Sequence, residues 1–178
     1  MNELGRKTAT DVQLAEKTPV TLVLDNVRSM HNVGSVFRTA DGFLAEQIIL
    51  CGYTPQPPHR DIQKTALGAT ETVAWKHEAV TAHALAQLKQ EGYRIWAVEQ
   101  VAESVPLNRF TINPGEKTAL VFGNEVNGVD EEALALCHGA IEIPQAGMKH
   151  SLNISVAAGI VLWKVFEQYL NPIPAKAE

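Results

Sequence analysis

Three polar segments carry residues suited to chemistry rather than to a core, and each follows a short apolar run. The first, Asp25-Asn26-Val27-Arg28-Ser29-Met30-His31-Asn32-Val33-Gly34-Ser35-Val36-Phe37-Arg38, ends a candidate strand and opens a candidate helix. Asn32 and Arg38 bracket that helix start, where free backbone N–H groups and a guanidinium can receive an anion. The second is Gly123-Asn124-Glu125-Val126-Asn127-Gly128, whose two glycines permit a tight turn and close backbone approach to a ligand. It lacks the Lys-Ser/Thr ending of a Walker A loop and is no GxGxxG fingerprint, so ATP hydrolysis and ordinary dinucleotide binding find no support. The third runs from Ile143-Pro144 through Ser151-Leu152-Asn153. Ser151 reads as the N-cap of a long apolar helix, and Asn153 as an amide that needs a partner if buried.

The elements that must position these residues follow from apolar periodicity. Candidate strands are Val20 to Leu24, Gln47 to Leu50, Thr72 to Ala74, Ile95 to Val98, Ala119 to Phe122 and Ala140 to Ile143. Candidate helices are Asn32 to Gly42, Thr81 to Glu91, Asp130 to Cys137 and Ser151 to Leu170, with Thr81 and Asp130 as N-caps. Such alternation predicts an α/β domain with a mostly parallel sheet and helices on both faces, in which ligands gather at the carboxyl ends of strands. Tyr53-Thr54-Pro55-Gln56-Pro57-Pro58 must be a loop. Residues 1–18 read as an N-terminal arm or short docking helix, 19–170 as the domain and 171–178 as a flexible tail.

The chain of 178 residues, 46% hydrophobic and 20% charged, has the composition of an ordinary soluble globule. No apolar stretch reaches the roughly 20 residues a membrane helix requires and the start lacks a signal-peptide core, so the expected location is the cytoplasm. Cys51 and Cys137 stand alone, which predicts neither disulfide nor zinc site, and the histidines, His150 excepted, read as ordinary surface or core residues. Trp75, Trp96 and Trp163 read as core. The net charge of −5 is the wrong sign for an indiscriminate phosphate binder. A local nucleic-acid footprint is still available from Arg28, Arg60 and Lys64 together with Arg38.

In this order, Asn26, Arg28, Asn32, Gly34 and Arg38-Thr39-Ala40, then Gly123-Asn124-Glu125 with Gly128, then Ile143-Pro144 and Ser151-Leu152-Asn153 with Ser155 and Ala157, resemble the motifs of one family. It is the SpoU (TrmH-like) family of RNA ribose 2′-O-methyltransferases, within the knotted SPOUT superfamily. The likeness spans about Pro19 to Leu170. It implies a C-terminal deep trefoil knot, S-adenosylmethionine as cofactor with no metal, and a homodimer. By resemblance the catalytic residues are Arg38, Asn32, Glu125, Ser151 and Asn153, and the cofactor is held mainly by backbone groups around Glu99, Gly123, Ile143 and Leu152. Gln145 stands where many relatives carry Met. With only Met1 to Pro19 before the first strand, the family's frequent N-terminal RNA-binding domain is not expected. In this family the arginine is proposed as the base, yet a guanidinium normally stays protonated. The chemistry therefore assigns Arg38 to the adjacent phosphate and the developing alkoxide, and its role as base stays open.

The short form leans toward tRNA, with D-loop guanosine 18 the best single assignment. Ribosomal RNA and a noncatalytic RNA-binding SPOUT protein are the alternatives. In the last helix, Ile154, Val156, Ala157, Ile160, Val161, Trp163, Val165 and Phe166 wrap around more than one core-facing stripe. A second apolar face, including Val161 and Phe166, is thus expected to meet a partner chain.

Overall fold

The strand β1 (Thr18–Asp25) is buried on both sides of the sheet. Val20, Leu22 and Leu24 point into one apolar layer and Val23 into the other, the period of two that a central strand demands. The computed structural model describes residues 8–148 and 151–170. In it β1 is joined by β2 (Ala45–Cys51), β3 (Ala74–Glu78), β4 (Arg94–Val98), the two-residue β5 (Val105–Pro106), β6 (Thr118–Phe122) and β7 (Gly139–Glu142). Every pairing is parallel and the order is β3-β2-β1-β6-β4-β7-β5, so all carboxyl ends lie along one edge.

The helices are α1 (Ala9–Leu14), α2 (Met30–Gly42), α3 (Arg60–Ala66), α4 (Ala69–Thr72), α5 (Thr81–Gln90), α6 (Glu131–Leu136) and α7 (Ile154–Leu170). One face of the sheet is covered by α2, α3, α4 and α7, the other by α5 and α6. The fold class expected from the sequence is therefore the one found, a mostly parallel sheet with helices on both faces. Among the described residues no helix is long and apolar enough to cross a membrane.

The approach of α3 to α2 depends on Gly34, which is buried. A Cβ there would fall on the Thr65 hydroxyl and the Ile62 carbonyl, while the Thr65 hydroxyl itself donates to the His31 carbonyl at 3.0 Å. Absence of a side chain is what allows the two helices to touch.

Several sequence expectations need correction. The strand expected at Thr72 to Ala74 begins only at Ala74, because Thr72 closes α4 and its hydroxyl is engaged by Asp41 and Ala69. Polar residues disguised β3, which is an edge strand and tolerates them. Thr81 does not cap α5. Val80 holds that position without a side-chain bond, and the Thr81 hydroxyl instead donates to Asp25 at 2.5 Å. Asp130 does cap α6, accepting from the Glu132 N–H at 3.0 Å. Val161 lies in the core rather than on a second face, and Phe166 is half-buried against Phe43 with ring centroids 5.3 Å apart. The large apolar residues of α7 that reach solvent are Val156, Ile160, Trp163 and, at its end, Leu170; Trp163 is 49% exposed and so not a core tryptophan. Cys51 is buried and Cys137 half-buried, and burial pushes their thiols up to about 12 and about 11.

Candidate active site

Past β1 the chain turns at Asn26, which adopts a left-handed φ of 55°. The turn brings the Arg28 and Ser29 amides toward the loop after β6, and there they meet Glu125. One carboxylate oxygen accepts from the Arg28 N–H at 3.1 Å, the other from the Ser29 N–H at 3.3 Å and from Asn32 Nδ2 at 3.1 Å. Ser29 Oγ takes the Asn32 N–H at 3.3 Å and so caps α2. A carboxylate of the chain itself thus sits beside the α2 start expected to receive an anion, taking the Arg28 and Ser29 N–H groups that precede the helix. Burial pushes the Glu125 carboxyl up, but hydrogen bonds from Arg28, from its own N–H, from Asn32 and from Ser29 outweigh it and hold the group below the ordinary value.

Because its Nδ2 faces Glu125, Asn32 offers its Oδ1 in the other direction, where Asn153 Nδ2 donates at 3.1 Å. Asn153 in turn accepts with Oδ1 from the Ser155 N–H at 2.9 Å and the Ser155 hydroxyl at 2.6 Å. Its carbonyl receives the Val156 and Ala157 N–H groups, which makes Asn153 the N-cap of α7 in place of Ser151. Asn153 is exposed, so its amide is oriented by the cap and by Asn32 rather than by burial. All three motifs are thereby linked through one chain of side chains, Glu125 to Asn32 to Asn153.

The loop holding Glu125 is fixed by its neighbour. Asn124 Nδ2 donates to the Asn26 carbonyl at 2.8 Å and to the Tyr53 hydroxyl at 2.7 Å, while Oδ1 accepts from the Val126 and Asn127 N–H groups at 2.8 and 3.1 Å. Gly128 has a φ of 72°, and a Cβ on it would strike the Glu99 carboxylate. Asp25, buried at the end of β1, accepts from Thr81 and from the Asp130 N–H at 2.9 Å, tying the starts of α5 and α6 to the same edge. Sequence reasoning missed Asp25, Tyr53 and the role of Asn124. Its usable signal was a polar residue directly after an apolar strand.

Between these loops lies a cavity of about 440 Å³, within the range of small-molecule sites. Glu99, Gly123, Ile143 and Leu152 all line it, as do Glu125, Ser151 and Asn153. Phe122, Ile141 and Ala157 add an apolar wall suited to a flat purine. Glu99 accepts from the Gln100 and Val129 N–H groups at 3.0 and 3.2 Å, which orients at the cavity an acceptor of the kind that hydroxyl groups of a ligand can use. The residues present therefore fit an adenosine-bearing cofactor. Among the described residues no three His, Cys, Asp or Glu side chains converge to hold a metal ion.

The basic candidates lie elsewhere. Arg38 is exposed, about 9 Å along α2 from Asn32 and on another face, and finds no hydrogen-bond or ionic partner among the described residues. Arg28 is exposed at the turn, and Arg60 and Lys64 are exposed one turn apart on α3. None of the four lines the cavity. His150 lies outside the described residues.

A parallel sheet with a cavity of this size at its carboxyl edge, bordered by oriented amides, defines a nucleotide-binding type of α/β protein. The profile of the SpoU rRNA methylase family matches residues 19–163, and the chain belongs to that family. A tRNA (guanosine(18)-2′-O)-methyltransferase of Thermus thermophilus is 31% identical over 95% of this chain and 85% of its own length. A 23S rRNA (guanosine-2′-O-)-methyltransferase, RlmB, of Vibrio parahaemolyticus is 32% identical over 94% of this chain and 67% of its own. The crystal structure of an AdoMet-bound rRNA methyltransferase from Sinorhizobium meliloti superposes with a TM-score of 0.79 at 28% identity, covering 87% of this chain and 58% of that one. The enzyme class follows from these likenesses: an RNA 2′-O-methyltransferase with S-adenosylmethionine as cofactor.

Proposed function

We propose that this protein methylates the ribose 2′-hydroxyl of a guanosine in tRNA, with D-loop guanosine 18 as the target. The observation that carries the reading is the Glu125–Asn32–Asn153 chain opening onto the cofactor cavity. The Thermus relative, of similar length and named for that guanosine, supports the choice of tRNA. The Vibrio relative at 32% identity favours ribosomal RNA as the second reading. A noncatalytic role is disfavoured, since Asn32, Arg38, Glu125, Ser151 and Asn153 are all retained.

When bound, S-adenosylmethionine supplies an electrophilic methyl group carried on a sulfonium. Glu99 and the backbone around Gly123, Ile143 and Leu152 hold it. Asn32, Ser151 and Asn153 orient the ribose hydroxyl and its neighbouring phosphate with neutral hydrogen bonds, which favour a near-attack geometry. Glu125 acts at one remove by fixing the Asn32 amide. Arg38 grips the phosphate and the developing alkoxide with its planar donor fork. It reaches that place in a homodimer built on α7, whose exposed Val156, Ile160 and Trp163 form a stripe at helical spacing. Arg28, Arg60 and Lys64 supply the rest of the RNA footprint.

The chain around β6, β7 and α7 forms the trefoil knot of the SPOUT superfamily. Support comes from the crossovers: β6 enters between β1 and β4, β7 between β4 and β5, and α7 returns to pack on α2. Residues 19–170 act as the catalytic domain, and the enzyme works in the cytoplasm with its RNA. The test is mass mapping of ribose methylation in tRNA and ribosomal RNA from cells lacking the protein. Loss of one methylguanosine from tRNA bears the reading out, loss from ribosomal RNA moves it to the alternative, and unchanged RNA rejects it.

A further inference from the structure

The proline-rich loop after β2 has no role in the chemistry described so far, yet it holds an aromatic ring in an unusual way. Tyr53 is 60% exposed although both of its ends are tied. Its hydroxyl receives Asn124 Nδ2 at 2.7 Å, and its backbone N–H donates to Asn26 Oδ1 at 3.2 Å. The residues around it are equally fixed. The Gly52 carbonyl meets His77 Nε2 at 2.9 Å, and buried Thr54 bonds both the Leu24 carbonyl and the Val27 N–H at 3.0 Å. Asn124, which holds the ring, precedes Glu125 in the chain and lines the cofactor cavity.

The hydroxyl accepts from Asn124 and keeps its own proton as a donor, while the ring it anchors turns an open face to solvent. A rigid, exposed face stacks on a nucleobase at little entropic cost, irrespective of base identity. The β1 and β2 carboxyl ends are neighbours in the sheet, so the ring stands on the same edge as Arg28, and its loop runs directly into α3 with Arg60 and Lys64. We propose that Tyr53 is an RNA-positioning residue, stacking on a base of the substrate beside the methylated ribose. The proposal rests on the RNA methyltransferase reading and adds a contact to it.

The experiment uses the full-length protein and total tRNA from cells lacking it, with methyl transfer from labelled S-adenosylmethionine as readout. Tyr53→Ala is expected to raise the KM for tRNA roughly tenfold, the order of one lost stacking partner, with kcat and cofactor affinity within about twofold of wild type. Tyr53→Phe keeps the ring and loses the bond to Asn124, so it should return the KM to near the wild-type value. A phenylalanine variant as impaired as alanine shows that the hydroxyl, as brace or as donor, carries the effect rather than the ring face, and overturns the proposal. So does an alanine variant with unchanged KM. If the wild-type protein transfers no methyl group to tRNA or to ribosomal RNA, the underlying reading falls as well, an outcome distinct from the other two.

Discussion

The first and third turns of α2 are built on opposite plans. In the first, Asn32 is held by Glu125 on one side and Asn153 on the other, with its backbone N–H on Ser29. In the third, Arg38 extends into solvent with no partner among the described residues. On the proposed reading the neutral amides that orient the ribose hydroxyl are fixed in advance, which would spare the reaction their reorganisation. The charged group has no partner among the described residues, which leaves it for a phosphate or a second protomer to engage in the proposed complex. One helix thus carries a finished end of the site and an unfinished one.

The largest effect should come from the unfinished end. Arg38→Ala is expected to lower methyl transfer by about 10³-fold, the upper end for loss of one transition-state donor, while calorimetric affinity for S-adenosylmethionine stays within about twofold. Arg38→Lys should fail nearly as badly, because a point charge does not reproduce the fork. Near-normal turnover of the lysine variant would mean that charge alone suffices and would dissolve the contrast.

At the finished end, a pair of substitutions separates structure from chemistry. Asn153→Ala removes both the cap of α7 and the bond to Asn32, so it should cost about 1 kcal/mol in denaturant titration and about 10²-fold in kcat. Asn153→Asp keeps the capping acceptor but loses the donor toward Asn32 Oδ1, leaving stability near wild type and kcat still low. Equal stability losses in both variants would show that the cap is not made by this side chain.

If a partner protomer completes the Arg38 side, a charge on the exposed stripe of α7 should split the molecule without unfolding it. Ile160→Glu is expected to sediment as a folded monomer with an unfolding free energy within about 0.5 kcal/mol of a monomeric reference, Trp163→Glu to lose more because its ring packs on Phe43 and Phe166, and both to lose methylation. The substitution Val161→Glu is unsuitable here, since that side chain lies in the core. A wild-type protein that is fully active as a monomer at micromolar concentration would remove the composite site altogether.

The smallest effect concerns pH. The Glu125 carboxyl titrates below its ordinary value of 4.5, so its contribution to stability is complete above that value and fades as the pH falls through the lower folded value. Between about pH 5 and 8 the group should leave stability flat. An acid-side loss present in wild type and absent in Glu125→Gln, measured by thermal melts below pH 4.5, is the expected signature. A loss already developing at about pH 6 and removed by the same substitution would contradict it.

The sequence carried the central strands and the larger helices because their apolar periods are strong, as in Val20 to Leu24 and Ile154 to Leu170. Strand ends also marked the segments around Gly123, Ile143 and Ser151 to Asn153, whereas Glu99 and the cofactor role of these residues came only from the family resemblance. What stayed hidden depends on pairings distant along the chain. Asn124 reaches Asn26 and Tyr53, 98 and 71 residues away, and no local pattern encodes either partner. The cap of α7 was misplaced by two residues because serine and asparagine cap equally well by type. Only the position of Asn32 across the site decides for Asn153. The short helices α3 and α4 follow a run of prolines and lack an apolar stripe long enough to read, and β3 hides its character in the charges an edge strand accepts.

Gly34 belongs to the stretch by which the first motif is recognised, yet it touches neither the cavity nor the chain of amides beside it. Its work is to let α3 rest on α2, and α3 carries Arg60 and Lys64. In a genetic screen, a lesion at this codon would therefore sort away from lesions at Asn32 or Arg38. Those would be silent at every temperature, with normal protein levels. A larger residue at position 34 would yield a heat-sensitive allele, active in the cold and cleared by proteolysis in the warm, from inside a motif otherwise read as catalytic.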